Sequence, residues 1–197
     1  MEHAIIGSGA IGSAIATQFA RAGIDVQVAN SRGPASLGEL SGRLGHRIKP
    51  TTVEQALQAD VVFLAVPFAS VAEVLAGVTN WQERILVDAT NAVEFPSFRP
   101  IDLDGRLSTQ VVSELAAGAR VVKAFNTLPA AVLASDPRQH GGRRALFLSG
   151  DAPTANAKIT DLMDALGFSG IDLGPIDQGG QLQHFGGPLM VHNLIQY

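Results

Sequence analysis

The sequence predicts an α/β chain, a doubly wound and mainly parallel sheet followed by a small C-terminal α/β lobe. Three observations carry this. Short β-type runs alternate with helical patterns from the N-terminus onward, the signature of βαβ units. One of these runs, Val61–Val66, is apolar throughout, as a strand covered on both faces must be. A glycine-rich turn, Gly7-Ser8-Gly9-Ala10-Ile11-Gly12, joins the first apolar run to the first helical pattern.

The elements follow in order. His3–Ile6 reads as the first strand, and a helix over 10–22 places Ile11, Ile15 and Phe19 on one buried stripe before Gly23 ends it. Residues 25–29 form the second strand and 35–44 a helix, with a short edge strand at 46–48. Thr51 or Thr52 caps a helix running to Ala59, with Glu54 near its third position. Pro67 stops the strand 61–66, and a helix over 69–76 leads to a strand at 85–88. A long loop holding Pro96 and Pro100 precedes a helix that Ser108 caps and that runs to Ala117, then a strand at 120–124. The remainder reads as a strand (144–148), a helix (153–166), a strand (168–172), a glycine-rich stretch and a C-terminal helix from Pro188. The expected division is 1–125 for a nucleotide-binding domain and 126–197 for the lobe completing a pocket beside it.

Composition narrows the classes. Of 197 residues, 46% are apolar and 16% charged, against about 25% charged in an average globular chain. A disordered chain needs the opposite balance. Cysteine is absent, which excludes disulfides, iron–sulfur clusters, thiolate zinc sites and a cysteine nucleophile. A net charge of −4 offers no basic footprint for nucleic acid or an anionic membrane surface. No apolar run approaches the roughly 20 residues that span a bilayer. The expectation is a cytoplasmic protein acting on small molecules, with no metal site.

The glycine turn fits the Rossmann fingerprint because a strand precedes it and an amphipathic helix follows. Gly7 permits the tight turn, Gly9 lets backbone approach a pyrophosphate, and Gly12 lets helix and strand pack closely. The helix start, with Ser8, Ala10 and Ile11, offers free N–H groups to phosphate. At the end of the second strand, where NAD-preferring domains carry an acid, stand Asn30, Ser31 and Arg32. Losing the acid removes repulsion against a 2′-phosphate, and a guanidinium and a hydroxyl supply donors to it. NADP(H) is therefore expected over NAD(H), with Arg32 as a solvated loop residue the alternative.

In an open parallel sheet the ligand lies beyond the C-terminal strand ends. That selects Val66-Pro67, Ala89-Thr90-Asn91 and Phe125-Asn126-Thr127. Val66 and Pro67 would flank the adenosine and pyrophosphate. Ala89, Asn91 and Phe125 would line the cofactor, while Thr90, Asn126 and Thr127 would position the nicotinamide. Turn, cap or core roles stand beside each of these. His184 reads as a turn histidine, with a site-lining role as its alternative. A second ring-shaped ligand could lie between the 179–188 stretch and the loops at Thr90 and Asn126. Hydride transfer between two planar rings needs orientation, distance and dryness rather than an obvious acid or base.

Together with the glycine loop and Asn30-Ser31-Arg32, the segments Leu64-Ala65-Val66-Pro67, Val121-Val122-Lys123-Ala124-Phe125-Asn126-Thr127 and Gly187-Pro188-Leu189 resemble the family of NADPH-dependent coenzyme F420 reductases. That family includes bacterial dinucleotide-binding reductases and the Steap metalloreductase domain. The resemblance implies NADP(H) as cofactor, with F420, FMN or FAD as acceptor and a homodimer as the assembly. It also implies Ser8, Ser31 and Arg32 on the phosphates and the loop after the strand at 120–124 facing the nicotinamide. Asn126 stands where the archaeal deazaflavin enzymes carry His, which leaves the acceptor open. An imine or carbonyl reductase and a non-catalytic NADP(H) sensor are the other readings.

Overall fold

In the computed structural model, which describes residues 1–94 and 96–197, parallel strands and helices alternate through residue 124. β1 (His3–Ile6) leads into α1 (Ala10–Ala22), and β2 (Val26–Ala29) into α2 (Gly38–Leu44). β3 (Ile48–Pro50) leads into α3 (Val53–Ala56), and β4 (Val61–Leu64) into α4 (Val71–Leu75). β5 (Ile85–Asp88) precedes α5 (Ser108–Leu115), and β6 (Arg120–Ala124) ends the run. In the sheet these strands lie in the order β3-β2-β1-β4-β5-β6, the Rossmann order, which changes direction between β1 and β4.

The chain then adds α6 (Ala130–Ala134), β7 (Arg138–Gln139), β8 (Gly142–Gly150) and α7 (Pro153–Ala165). β9 (Ser169–Asp172), α8 (Ile176–Gln183) and β10 (Ile195–Gln196) complete it. β8 pairs antiparallel with β6 and parallel with β9, so the sheet continues past residue 125. β7 and β10 pair antiparallel with β8.

Alternation along β4 shows why an apolar run was needed. Val61 and Phe63 enter the core on the α1 face, and Val62 and Leu64 enter the core packed on α5. The α1-side core crosses from the first part of the chain into the last. Phe19, Phe63, Phe125 and Phe168 meet edge to face in sequence, with ring centroids 5.6, 5.4 and 6.4 Å apart.

Several sequence expectations shift. Thr52 caps α3 through a capping box whose partner is Gln55 rather than Glu54, and the helix closes at Ala56. Ser108 does not cap α5; Leu107 holds that place, its N–H bonded to Gln110 Oε1 at 2.9 Å. The expected C-terminal helix from Pro188 is absent. Its backbone is committed elsewhere: Leu189 N–H to Leu182 O, Val191 N–H to Thr127 O, and Leu194 O to Ala145 N–H.

The glycine-rich stretch also changes role in part. Gly179 and Gly180 lie inside α8, and a Cβ on Gly179 would fall 2.6 Å from Leu173 Cβ and 2.7 Å from Ser149 Cβ. These two glycines let α8 close onto β8.

Candidate active site

The glycine turn is built by two obligate close approaches and one open space. Gly7 has φ of +111°, and a Cβ there would lie 2.1 Å from Ala65 O. A Cβ on Gly12 would lie 1.8 Å from Gly7 O. Nothing lies within 4 Å of a Cβ placed on Gly9. Two glycines therefore hold backbone against backbone, and the third leaves room above the turn. Gly9 is also the N-cap of α1 and carries no side-chain cap, and no acid occupies the first turn. Those N–H groups are available to an anion.

Asn30 ties this turn to the end of β2. Its Nδ2 donates to Ser8 Oγ at 2.8 Å, while its Oδ1 accepts from Arg32 N–H at 2.9 Å and Ser36 Oγ at 3.0 Å. Ser31 and Arg32 are exposed. Among the described residues the Arg32 guanidinium has no hydrogen-bond or ion-pair partner. A cavity of about 960 Å³ runs over Gly7, Ser8 and Gly9, along Asn30, Ser31 and Arg32, and between Thr52–Glu54 and Val66-Pro67. Ala10 and Ile11, in the first turn of α1, are not among its lining residues.

The strand ends of β5 and β6 are built differently. Asp88 is fully buried and accepts four hydrogen bonds: Thr90 N–H (2.9 Å) and Thr90 Oγ1 (2.6 Å) on Oδ1, Thr109 Oγ1 (2.7 Å) and Lys123 Nζ (3.1 Å) on Oδ2. Lys123, 1% exposed, also donates to Thr90 O at 2.5 Å and Ser108 Oγ at 3.5 Å. Its three protons thus have three acceptors. A buried pair of this kind persists only because further hydrogen bonds satisfy both ions.

Beside it Asn126 Nδ2 donates to Asn91 Oδ1 at 3.0 Å and Gln183 O at 2.8 Å, and Asn91 Nδ2 returns a bond to Asn126 O at 3.0 Å. Among the described residues Asn126 Oδ1 is buried without a partner. Gln183, fully buried, reaches Phe147 O at 3.0 Å and accepts from Ser149 Oγ at 2.7 Å.

The placement of the expected residues follows. Gly7, Ser8, Gly9, Asn30, Ser31, Arg32, Val66 and Pro67 share one cavity wall. Asn91 and Asn126 are brought together, with Thr90 and Ala89 buried beside them. Thr90 gives its hydroxyl to Asp88. Thr127 is buried, and its carbonyl accepts Val191 N–H at 2.8 Å.

Phe125 is a correction. It sits at φ +62°, and its ring is buried between Phe63 and Phe168. The left-handed backbone turns the ring into the core, away from any cofactor at the strand end. Sequence reading missed Asp88, Lys123, Thr109 and Gln183. A signal existed for two of them: a charged residue at the end of an apolar strand covered on both faces has to be paired.

A second cavity of about 460 Å³ opens beyond β5 and between α5 and α8, with Ala92, Arg106, Ser108, His184 and Phe185 in its wall. His184 is exposed, its Nδ1 2.8 Å from Phe185 O. Among the described residues no three His, Asp or Glu side chains are placed to share a metal ion, and no helix is long and apolar enough to cross a membrane.

Residues 2–92 match the model of a family described as NADP oxidoreductase, coenzyme F420-dependent. The chain is 28% identical over 186 residues to the metalloreductase STEAP3 of Rattus norvegicus, covering 91% of this chain and 35% of that protein. It therefore spans about a third of that relative's length. Among solved structures, a hypothetical protein of Sinorhizobium meliloti is 53% identical with a TM-score of 0.97, covering 100% of this chain and 96% of the other. A protein of Arthrobacter sp. FB24 to which an F420-dependent NADP-reductase function is ascribed is 25% identical with a TM-score of 0.74, covering 90% and 86%.

Proposed function

We propose that this chain, whose residues 2–92 match the model of the coenzyme F420-dependent NADP oxidoreductase family, moves hydride between NADPH and a deazaflavin or flavin ring. One observation carries the cofactor half: the open space over Gly9, continuous with the cavity that ends at the unpaired Arg32. The pyrophosphate fits above Gly9 on the uncapped N-terminus of α1, and a 2′-phosphate fits between Ser31 and Arg32. Bound NADPH supplies the hydride.

The chain's own residues do the positioning. Asn30 holds the turn and the Arg32 loop together through its three hydrogen bonds. Asp88 and Lys123 lock both sides of Thr90, which fixes the strand-five loop beneath Asn91 and Asn126. Asn126 presents an unpaired oxygen at that level, suited to a carboxamide donor. Residues from Ala92 to Ser108 make most of the wall of the second cavity and His184 and Phe185 close it, which supports an acceptor held between the two parts of the chain.

A ring-to-ring transfer suits this site because the buried ions of its floor, Asp88 and Lys123, are already paired with each other, leaving orientation as its means. The test is NADPH oxidation followed by absorbance with F420, FMN, FAD, ferric chelate or no acceptor. Oxidation is expected with F420 or a free flavin and with no acceptor-independent rate. Tight NADPH binding with no oxidation under any condition would identify a sensor and overturn the reading.

A further inference from the structure

The second cavity has a buried cation one hydrogen bond behind its wall. Ser108 is the first residue of α5 and 6% exposed. Had it capped the helix, its oxygen would accept an N–H of the first turn. Leu107 takes that place, and Ser108 Oγ accepts instead from Lys123 Nζ at 3.5 Å. A hydroxyl that accepts from an ammonium keeps its own proton to give and gives it more strongly. Among the described residues no acceptor takes that proton. Arg106 stands in the same wall, bonded to Glu114 at 3.1 Å, and Asp102 is the acidic residue there.

We propose that Ser108 is the hydrogen-bond donor that meets the acceptor ring in the second cavity, with Lys123 a positioning residue that holds and polarises it. The inference rests on the hydride-transfer reading. When the ring accepts hydride it gains two electrons at one atom, and NADPH is left as NADP+. Negative charge then develops on a conjugated oxygen or nitrogen of the ring, and water supplies the proton that completes the reduction. A fixed donor held from behind by a buried cation stabilises that developing charge more than it stabilises the oxidised ring. Lys123 cannot reach the ring itself, because it is buried and its three protons go to Asp88, Thr90 and Ser108.

The experiment uses the full chain and three readouts: NADPH binding, binding of F420 or FMN to the NADP+ complex, and steady-state NADPH oxidation with each. Ser108→Ala is expected to keep NADPH affinity within about twofold and to lower kcat about 100-fold with little change in KM. Ser108→Thr, which keeps the hydroxyl, is expected to recover most of the loss.

Lys123→Met should lower kcat in the wild-type background and lower it clearly less in Ser108→Ala, where the part of its effect that runs through Ser108 is already lost. A merely structural lysine would cost the same in both. A Ser108→Ala enzyme with unchanged kcat overturns the proposal. Should wild type bind F420 or FMN without turnover, the hydride reading fails and binding alone decides this one. Weaker acceptor binding in Ser108→Ala then supports it, and equal binding overturns it. If neither ring binds wild type, both readings fall.

Discussion

The two ends of the strand-end row solve opposite problems. Over β1, β2 and β4 the polar groups are left open: the N–H groups of α1 have no side-chain cap, and among the described residues the Arg32 guanidinium has no partner. Over β5 and β6 they are almost all spent on one another, with Asp88, Thr90, Lys123, Asn91 and Asn126 closed into hydrogen bonds. An anionic cofactor is gripped by groups that wait for it. A reaction that needs only correct distance between rings is served by groups that cannot move. The first end fits a binding site, the second a fixed floor.

The sharpest way to break this contrast is to remove one ion from the closed end. Lys123→Met leaves the Asp88 carboxylate buried without its cation, which costs about 3–5 kcal/mol of folding stability. Urea unfolding should show a fall of that size. Asp88→Asn combined with Lys123→Met should regain much of it, because the amide and the methionine leave no buried charge. A Lys123→Met protein as stable as wild type would mean the pair is no keystone of the floor.

The same contrast explains what could be read in advance. The glycine turn, Asn30, Arg32 and the strand that precedes them lie within 30 residues of one another, so local spacing carries the cofactor site. Apart from Asp88 to Thr90, the floor is held by contacts 15 to 57 residues apart, such as Lys123 to Ser108 and Asn126 to Gln183. No local pattern encodes those. Phe125 misled for a related reason: its position after β6 indicated the site, but its positive φ, invisible in sequence, sends the ring into the core. The C-terminal segment misled because β8, Leu182 and Thr127 claim backbone groups that a helix would have used internally. The central parallel strands before residue 125 were legible because they are short and mostly apolar, whereas β3, with one buried residue in Ile48–Pro50, lies two residues beyond its expected place at 46–48.

Two glycines of one motif give a finer test. Gly12→Ala drives a Cβ into Gly7 O, backbone against backbone, with no flexible atom to give way. The expected loss is about 3 kcal/mol or more, read as a lower melting temperature with and without NADPH. Gly9→Ala meets nothing in the protein. Its melting temperature without ligand should match wild type while NADPH affinity falls, because the methyl takes the space the pyrophosphate needs. If Gly9→Ala bound NADPH normally, the open space over the turn would not be the phosphate site.

The smallest effect is also the most specific. Arg32 is exposed, so its contribution to a bound 2′-phosphate is reduced by solvent and lies near the low end for a charge-assisted hydrogen bond, about 1.4 kcal/mol or tenfold in affinity. Asn30 makes the residue more than a loose surface cation, since its Oδ1 fixes the Arg32 N–H at 2.9 Å and its Nδ2 anchors the same loop to Ser8 at 2.8 Å. An acid at position 30 could still accept from Arg32 N–H but could not donate to Ser8, and it would repel a 2′-phosphate. Arg32→Ala should therefore weaken NADPH about tenfold and leave NADH unchanged, because NADH has no 2′-phosphate to lose. The quantity to measure is the ratio of the two dissociation constants, which cancels any general loosening of the loop. A ratio equal to that of wild type would make Arg32 a solvated residue and return the cofactor preference to Asn30 and Ser31.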